Sequence, residues 1–181
     1  VNGEKIMKIY IVNGAPGSGK TTFENYICEK IKPYGTQFST IDCIKEIAYQ
    51  CGWKGTKTPK DRKMLSDMKD ILTEWGDVPA KAVDNSINNF RAWLVVNDYP
   101  LDKSVVFIDC REPKEIAKLK KTYDAKTVLI RRESAENSEK SNHADANVLK
   151  FDYDLILYNN NTIKDFYKII DEFMEGENIY A

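Results

Sequence analysis

The stretch GAPGSGKT, Gly14 to Thr21, decides the fold of this chain. It matches G-x-x-x-x-G-K-[ST], with Gly14, Gly19, Lys20 and Thr21 at the fixed positions. The apolar run MKIYIV (Met7 to Val12) precedes it, and TTFENYICEKI, which reads as a helix, follows. Strand, glycine-rich turn and helix therefore come in the order the motif needs. Glycines let backbone N–H groups curl around phosphate oxygens with no Cβ in the way. The helix that starts near Lys20 adds its positive dipole end and its unpaired N–H groups. Gly14, Ala15, Pro16, Gly17, Ser18, Gly19, Lys20, Thr21 and Thr22 are thus the expected cradle for a nucleoside triphosphate, ATP with Mg²⁺. Lys20 is expected on the β- and γ-phosphates and the Thr21 hydroxyl on the Mg²⁺. The plainer reading is a bare turn between strand and helix. It has to treat four fixed residues and both flanking elements as coincidence.

Outward from this stretch, the 181 residues suit one domain, and 42 % hydrophobic with 30 % charged residues is a soluble globular mix. The chain has 27 basic and 28 acidic residues, a formal charge of −1, which argues against a general nucleic-acid binder. Cys28, Cys43, Cys51 and Cys110 form no C-x-x-C pair, so a reduced cytoplasmic protein without a zinc site is expected. No apolar run approaches the roughly 20 residues of a membrane span, and no signal peptide is evident. Val1 to Ile6 read as a leader ahead of a natural start at Met7.

Strands are expected at Met7–Asn13, Gln37–Ile41, Ser104–Asp109, Thr127–Ile130 and Tyr153–Asn159. Helices are expected at Thr21–Ile31, from Asp42, at about 60–74 and 79–96, at Glu112–Lys121, and after Thr162. Alternating strands and helices imply a three-layer α/β/α sandwich on a five-stranded parallel sheet. The helices after the second strand, about 42–98, read as an inserted cap rather than a tight crossover. Arg131 to Asn147 is polar throughout and has no hydrophobic period.

A loop at the N-terminus, a helical insert after the second strand and a polar segment after the fourth resemble the P-loop nucleoside monophosphate kinases. STIDCIKEIAYQCGW, LSDMKD and FIDCREPKEI look most like the phage-type deoxynucleoside monophosphate kinases and their bacterial relatives. The resemblance runs from Met7 to Met174 and implies a single P-loop kinase domain with an acceptor-binding insert and a short lid at about 131–147. It implies transfer of the γ-phosphoryl of ATP to a phosphorylated small acceptor, a (deoxy)nucleoside monophosphate. In relatives of the adenylate-kinase type the second strand ends in Thr, Asp and Arg. Thr40, Asp42 and Lys45 stand in those places, with lysine for arginine. Lys keeps the charge and loses the bidentate fork.

Each candidate carries two readings. Asp42 is an N-cap or an acceptor-side acid, and Lys45 a surface lysine or the acceptor-phosphate grip. Asp109, at a strand end beside the loop, caps the next helix or serves Mg²⁺, with Arg111 two residues on for the acceptor phosphate. Arg131 and Arg132 are a solvated pair or the cations that neutralise the transferring group. Arg62, in the basic run Lys54 to Lys63, and Asp67 are further acceptor-side candidates. Lys140 and His143 are the other polar candidates in the lid. Trp53, Trp75 and Trp93 read mainly as core, with one available to stack on a base. Other readings are a kinase of another phosphorylated metabolite such as phosphomevalonate, and a non-catalytic ATP-binding regulatory protein. A nucleic-acid end kinase would need a basic track.

Overall fold

The computed structural model describes residues 7–136 and 147–180. Five parallel strands form one sheet: β1 (Lys8–Asn13), β2 (Gly35–Ser39), β3 (Val105–Asp109), β4 (Lys126–Arg131) and β5 (Leu155–Tyr158), in the spatial order β2-β3-β1-β4-β5. The helices are α1 (Lys20–Lys30), α2 (Asp42–Gln50), α3 (Pro59–Gly76), α4 (Val78–Val96), α5 (Pro113–Tyr123), the short α6 (Glu133–Glu136) and α7 (Ile163–Gly176). The leader reading of residues 1–6, and the candidates Lys140 and His143, lie outside the described residues.

Side chains alternate across the sheet, so each central strand feeds two cores. Tyr10, Val12, Val105, Phe107, Val128 and Ile130 face one side and pack on Phe23 and Ile27 of α1 and Phe166, Ile170 and Phe173 of α7. Phe23 meets Phe107 and Phe173 edge-on, with ring centroids 5.5 and 5.0 Å apart. Ile9, Ile11, Val106 and Ile108 face the other side, against Val83 and Ile87 of α4 and Ile116 and Leu119 of α5. The three-layer sandwich expected from the sequence is the observed architecture.

The insert differs from its expectation. It is not only a cap, because α4 buries Val83, Ile87 and Leu94 and completes one layer over the sheet. Only α3 behaves as a cap; it has no buried residue. Trp75 and Trp93 are not core: they are 79 % and 45 % exposed. The reading of Asp42 as an N-cap is also corrected. Asp42 is the first residue of α2, whose N-cap position is Ile41 with no side-chain bond.

The cap expected at Thr162 is present. Thr162 accepts from the Asp165 N–H, and Asp165 accepts from the Thr162 N–H in return, closing a capping box. This satisfies two backbone donors that the first turn of α7 leaves open. Thr162→Ala is expected to cost about 1 kcal/mol, read as a lower urea midpoint at unchanged slope.

Candidate functional site

β1 ends at Asn13, whose buried amide sets the start of the glycine loop. Its Oδ1 accepts from the Gly14 N–H at 2.7 Å, and its Nδ2 donates to the Tyr153 hydroxyl at 2.7 Å and to Arg111 O at 3.3 Å. Gly19 then takes φ 109°, and a Cβ there would lie 2.5 Å from Asn159 Nδ2. That amide is itself occupied, donating to Ser18 O at 2.8 Å. Glycine is needed at 19 for both reasons, and the turn delivers Lys20 as the first residue of α1. Lys20 is 7 % exposed, and its ammonium donates to Gly14 O at 2.7 Å and Ala15 O at 3.3 Å. The loop is held in shape by its own lysine.

Asp109 reaches the loop because β3 lies between β2 and β1. It stands level with Val12 on one side and Ser39 on the other. Its Oδ1 is buried and meets no hydrogen-bond donor among the described residues. The same cleft is lined by Glu24 of α1, 4 % exposed, whose Oε1 is likewise buried without a donor among the described residues. Burial above all, then the Asp109 charge and a smaller push from Asp42, holds the Glu24 carboxyl up at about 8 against the opposing Lys20 charge. Two orphaned carboxylate oxygens on residues that line one cleft, with Thr21 in the same lining, fit a divalent cation. Asp109 and Thr21 are therefore where Mg²⁺ could be held.

One cleft of about 860 Å³ joins this acidic corner to the insert. Its far wall carries Trp53, Thr56, Leu65 and Ser66. Among the described residues, Lys20, Lys45, Lys57, Arg62, Lys69, Arg111 and Arg132 line it against three carboxylates, Glu24, Asp42 and Asp109. In a chain of net charge −1, the basic groups are concentrated where a polyanion would sit.

Most of the expected site residues meet here. Pro16, Gly17, Gly19, Lys20, Thr21 and Thr22 line the cleft, as do Asp42, Lys45, Arg62, Asp109, Arg111 and Arg132. Gly14, Ala15 and Ser18 shape the loop from behind. Asp42 accepts from the Ser39 N–H at 2.9 Å and from Lys45 Nζ at 2.8 Å, so its carboxylate positions Lys45 at the end of β2. Arg62 Nε donates to Lys57 O at 3.2 Å.

Two expectations fail. Asp67 is exposed away from the cleft lining and is paired with Lys63 at 2.6 Å, the neighbour one helical turn away. Arg131 is turned aside as well. It makes a bidentate pair with Glu136, at 2.9 and 2.7 Å, and its guanidinium lies over the Tyr158 ring. Only Arg132 of the two arginines faces the cleft.

Sequence reasoning missed Glu24, Asn13, Asn159 and Lys69. The signal for Glu24 was an acidic residue inside the buried stripe Phe23, Ile27 and Ile31, one turn after Lys20. Lys69 could not be found this way, because its partner Glu115, at 2.6 Å, comes from α5.

Comparison with known proteins adds the following. No family model matches the chain, and no curated protein matches it by sequence. Among solved structures it is similar to shikimate kinase from Bacteroides thetaiotaomicron, with 14 % identity and a TM-score of 0.43, over 95 % of this chain and 98 % of that one. It is also similar to dephospho-CoA kinase from Campylobacter jejuni, with 16 % identity and a TM-score of 0.44, over 93 % and 96 %. A sugar kinase from Janibacter is similar at 14 % identity and a TM-score of 0.44, over 96 % and 95 %. Likeness at this level assigns neither substrate nor activity. Among the described residues, no helix is long and apolar enough to cross a membrane.

Proposed function

We propose that the chain is an ATP-dependent phosphotransferase that moves the γ-phosphoryl group of ATP to a phosphorylated small acceptor, a nucleoside or deoxynucleoside monophosphate. One observation carries this reading. The glycine loop and the basic insert open onto a single cleft, whose lining is basic in a chain that is not.

Gly14 to Thr22 hold the triphosphate through backbone N–H groups and the N-terminus of α1. Lys20 leaves the Gly14 and Ala15 carbonyls for the β- and γ-phosphates. Thr21 and Asp109 would hold Mg²⁺, whose charge would offset that of the phosphates. Lys45, Arg62 and Arg111 grip the acceptor phosphate, with Asp42 holding Lys45 in place. An acceptor phosphate oxygen bonds to the γ-phosphorus as the bond to the β–γ bridging oxygen breaks, and ADP leaves. The attacking oxygen is already ionised, so no strong base is required. Arg132 and Arg111 supply positive charge around the moving group. Trp53, tilted 40° to Tyr49 with ring centroids 4.7 Å apart, offers an aromatic surface for a base. Asp67 and Arg131 have no part in this scheme.

The test is acceptor-stimulated ADP release from ATP across a panel of ribo- and deoxynucleoside monophosphates, with phosphomevalonate and unphosphorylated nucleosides alongside. Stimulation by one or more monophosphates is expected. Stimulation by phosphomevalonate alone would move the acceptor outside the nucleotides, and ATP binding with no stimulation at all would leave a regulatory binder. Arg62→Ala is expected to raise the acceptor KM roughly tenfold or more, the loss of one charge-assisted hydrogen bond, with the KM for ATP unchanged.

A further inference from the structure

Glu24 takes no part in the scheme above, yet it is the most deeply buried acid of the cleft. Its position follows from α1. Glu24 is three residues after Thr21 and four after Lys20, so the three side chains share one helical face, the face that looks into the cleft. The neighbouring residues Phe23 and Ile27 fasten that helix to the sheet and so fix where Glu24 sits.

The groups around Glu24 are Lys20 on its own helix, Asp109 at the end of β3 and Asp42 at the start of α2. The Lys20 ammonium is engaged with two loop carbonyls. Glu24 Oε1 and Asp109 Oδ1 are both buried and both without a hydrogen-bond donor. Were both ionised, two buried carboxylates in one cleft would repel one another, and each loses its hydration. A counter-charge to Lys20 alone would account for one acid, not for two orphaned oxygens in one cleft. A divalent cation offsets both. Mg²⁺ is commonly held by one or two carboxylates together with substrate phosphates and waters.

We propose that Glu24 is a second carboxylate of the divalent-cation site, acting with Asp109 and beside the Thr21 hydroxyl. The assignment rests on the phosphotransferase reading for the identity of the nucleotide, but the cation binding itself is separately measurable. Glu24 anchors the ion from within α1. A cation held by both carboxylates then stays when the nucleotide exchanges.

The experiment is a Mn²⁺ titration of the full chain, with and without saturating ADP, reading unbound Mn²⁺ by electron paramagnetic resonance. Glu24→Gln, nearly isosteric, is expected to weaken Mn²⁺ retention about tenfold or more, in the range found for disturbed metal sites, and Glu24→Asp to weaken it less. ADP affinity measured in EDTA is expected to stay within about twofold of wild type. Unchanged Mn²⁺ retention in Glu24→Gln overturns the proposal. So does a loss of ADP affinity in EDTA as large as the loss of Mn²⁺, which would make Glu24 a structural residue of the loop. Wild-type protein that retains no Mn²⁺ in either titration overturns it too. Failure of the phosphotransferase reading looks different: Mn²⁺ retention sensitive to Glu24, with no acceptor raising ADP release.

Discussion

Lys20→Met is expected to lower kcat by about 10³-fold, the scale on which a single preorganised donor to developing charge acts. The lysine is one of the most constrained cations of the cleft, buried and held by Gly14 O and Ala15 O. Its stem is therefore already placed at the loop, and only the ammonium has to turn toward phosphate. Methionine keeps the stem and removes the charge. The folded state loses the donor to the buried Gly14 carbonyl and the part-buried Ala15 carbonyl, a cost of about 1–3 kcal/mol. A melting temperature lowered by no more than about 10 °C, together with a collapse in acceptor-stimulated ADP release, is the expected pair of results. Lys20→Arg should not rescue activity, since a planar fork cannot replace a compact ammonium in a closed loop. Activity in Lys20→Met within tenfold of wild type would remove the loop from the chemistry.

The second large effect is on stability and depends on pH. In divalent-free buffer the Glu24 carboxyl sits near 8 in the folded chain, against an ordinary value of 4.5. The folded state therefore holds a proton that the unfolded chain gives up. For a raised acid, the stabilising contribution is complete below 4.5 and is lost as pH climbs through 8. Wild-type stability should fall by about 3 kcal/mol from this group between pH 6 and pH 9. Glu24→Gln cannot ionise and should lose none of that. The variant is therefore expected to be more stable than wild type at pH 9, by a margin that narrows toward pH 6. Urea unfolding in EDTA at both values measures this. Parallel pH dependence of the two proteins would mean that Glu24 stays ionised across the range.

Much of this site was legible because its signals are local. The loop spells out its own chemistry within eight residues, and the apolar runs at Met7–Val12 and Val105–Ile108 mark strands buried on both faces. Asp109 could be placed because strand ends beside such a loop converge on one point. The strand order β2-β3-β1-β4-β5 was not legible, since it depends on which apolar faces meet across long stretches of chain. Gly35 illustrates the limit. β2 begins there, earlier than its residue pattern suggests, because its missing Cβ admits the Cys28 backbone of α1, which a Cβ would meet at 2.9 Å.

The missed and misplaced site residues have physical reasons of the same kind. Asp67 looked available because its helical phase relative to the cleft was unknown, and Lys63 one turn away claims it. Arg131 looked like a lid cation, yet Glu136 lies within a polar segment whose lack of period hid the short turn that pairs them. Glu24 was passed over because a glutamate on a helix ordinarily faces water. Its burial is decided by how α1 lies on the sheet, through Phe23 against Phe107 and Phe173.

The central claim is that donor and acceptor share the cleft between the glycine loop and the basic insert. Phosphorus NMR of the protein with ATP, Mg²⁺ and the monophosphate panel tests it most directly, because it reports the fate of the γ-phosphoryl itself. The account predicts new β-phosphorus signals from the acceptor's diphosphate, growing in step with ADP. Inorganic phosphate as the only fate of the γ-phosphoryl, with no acceptor diphosphate, or unaltered ATP in a protein that binds it, would contradict the account.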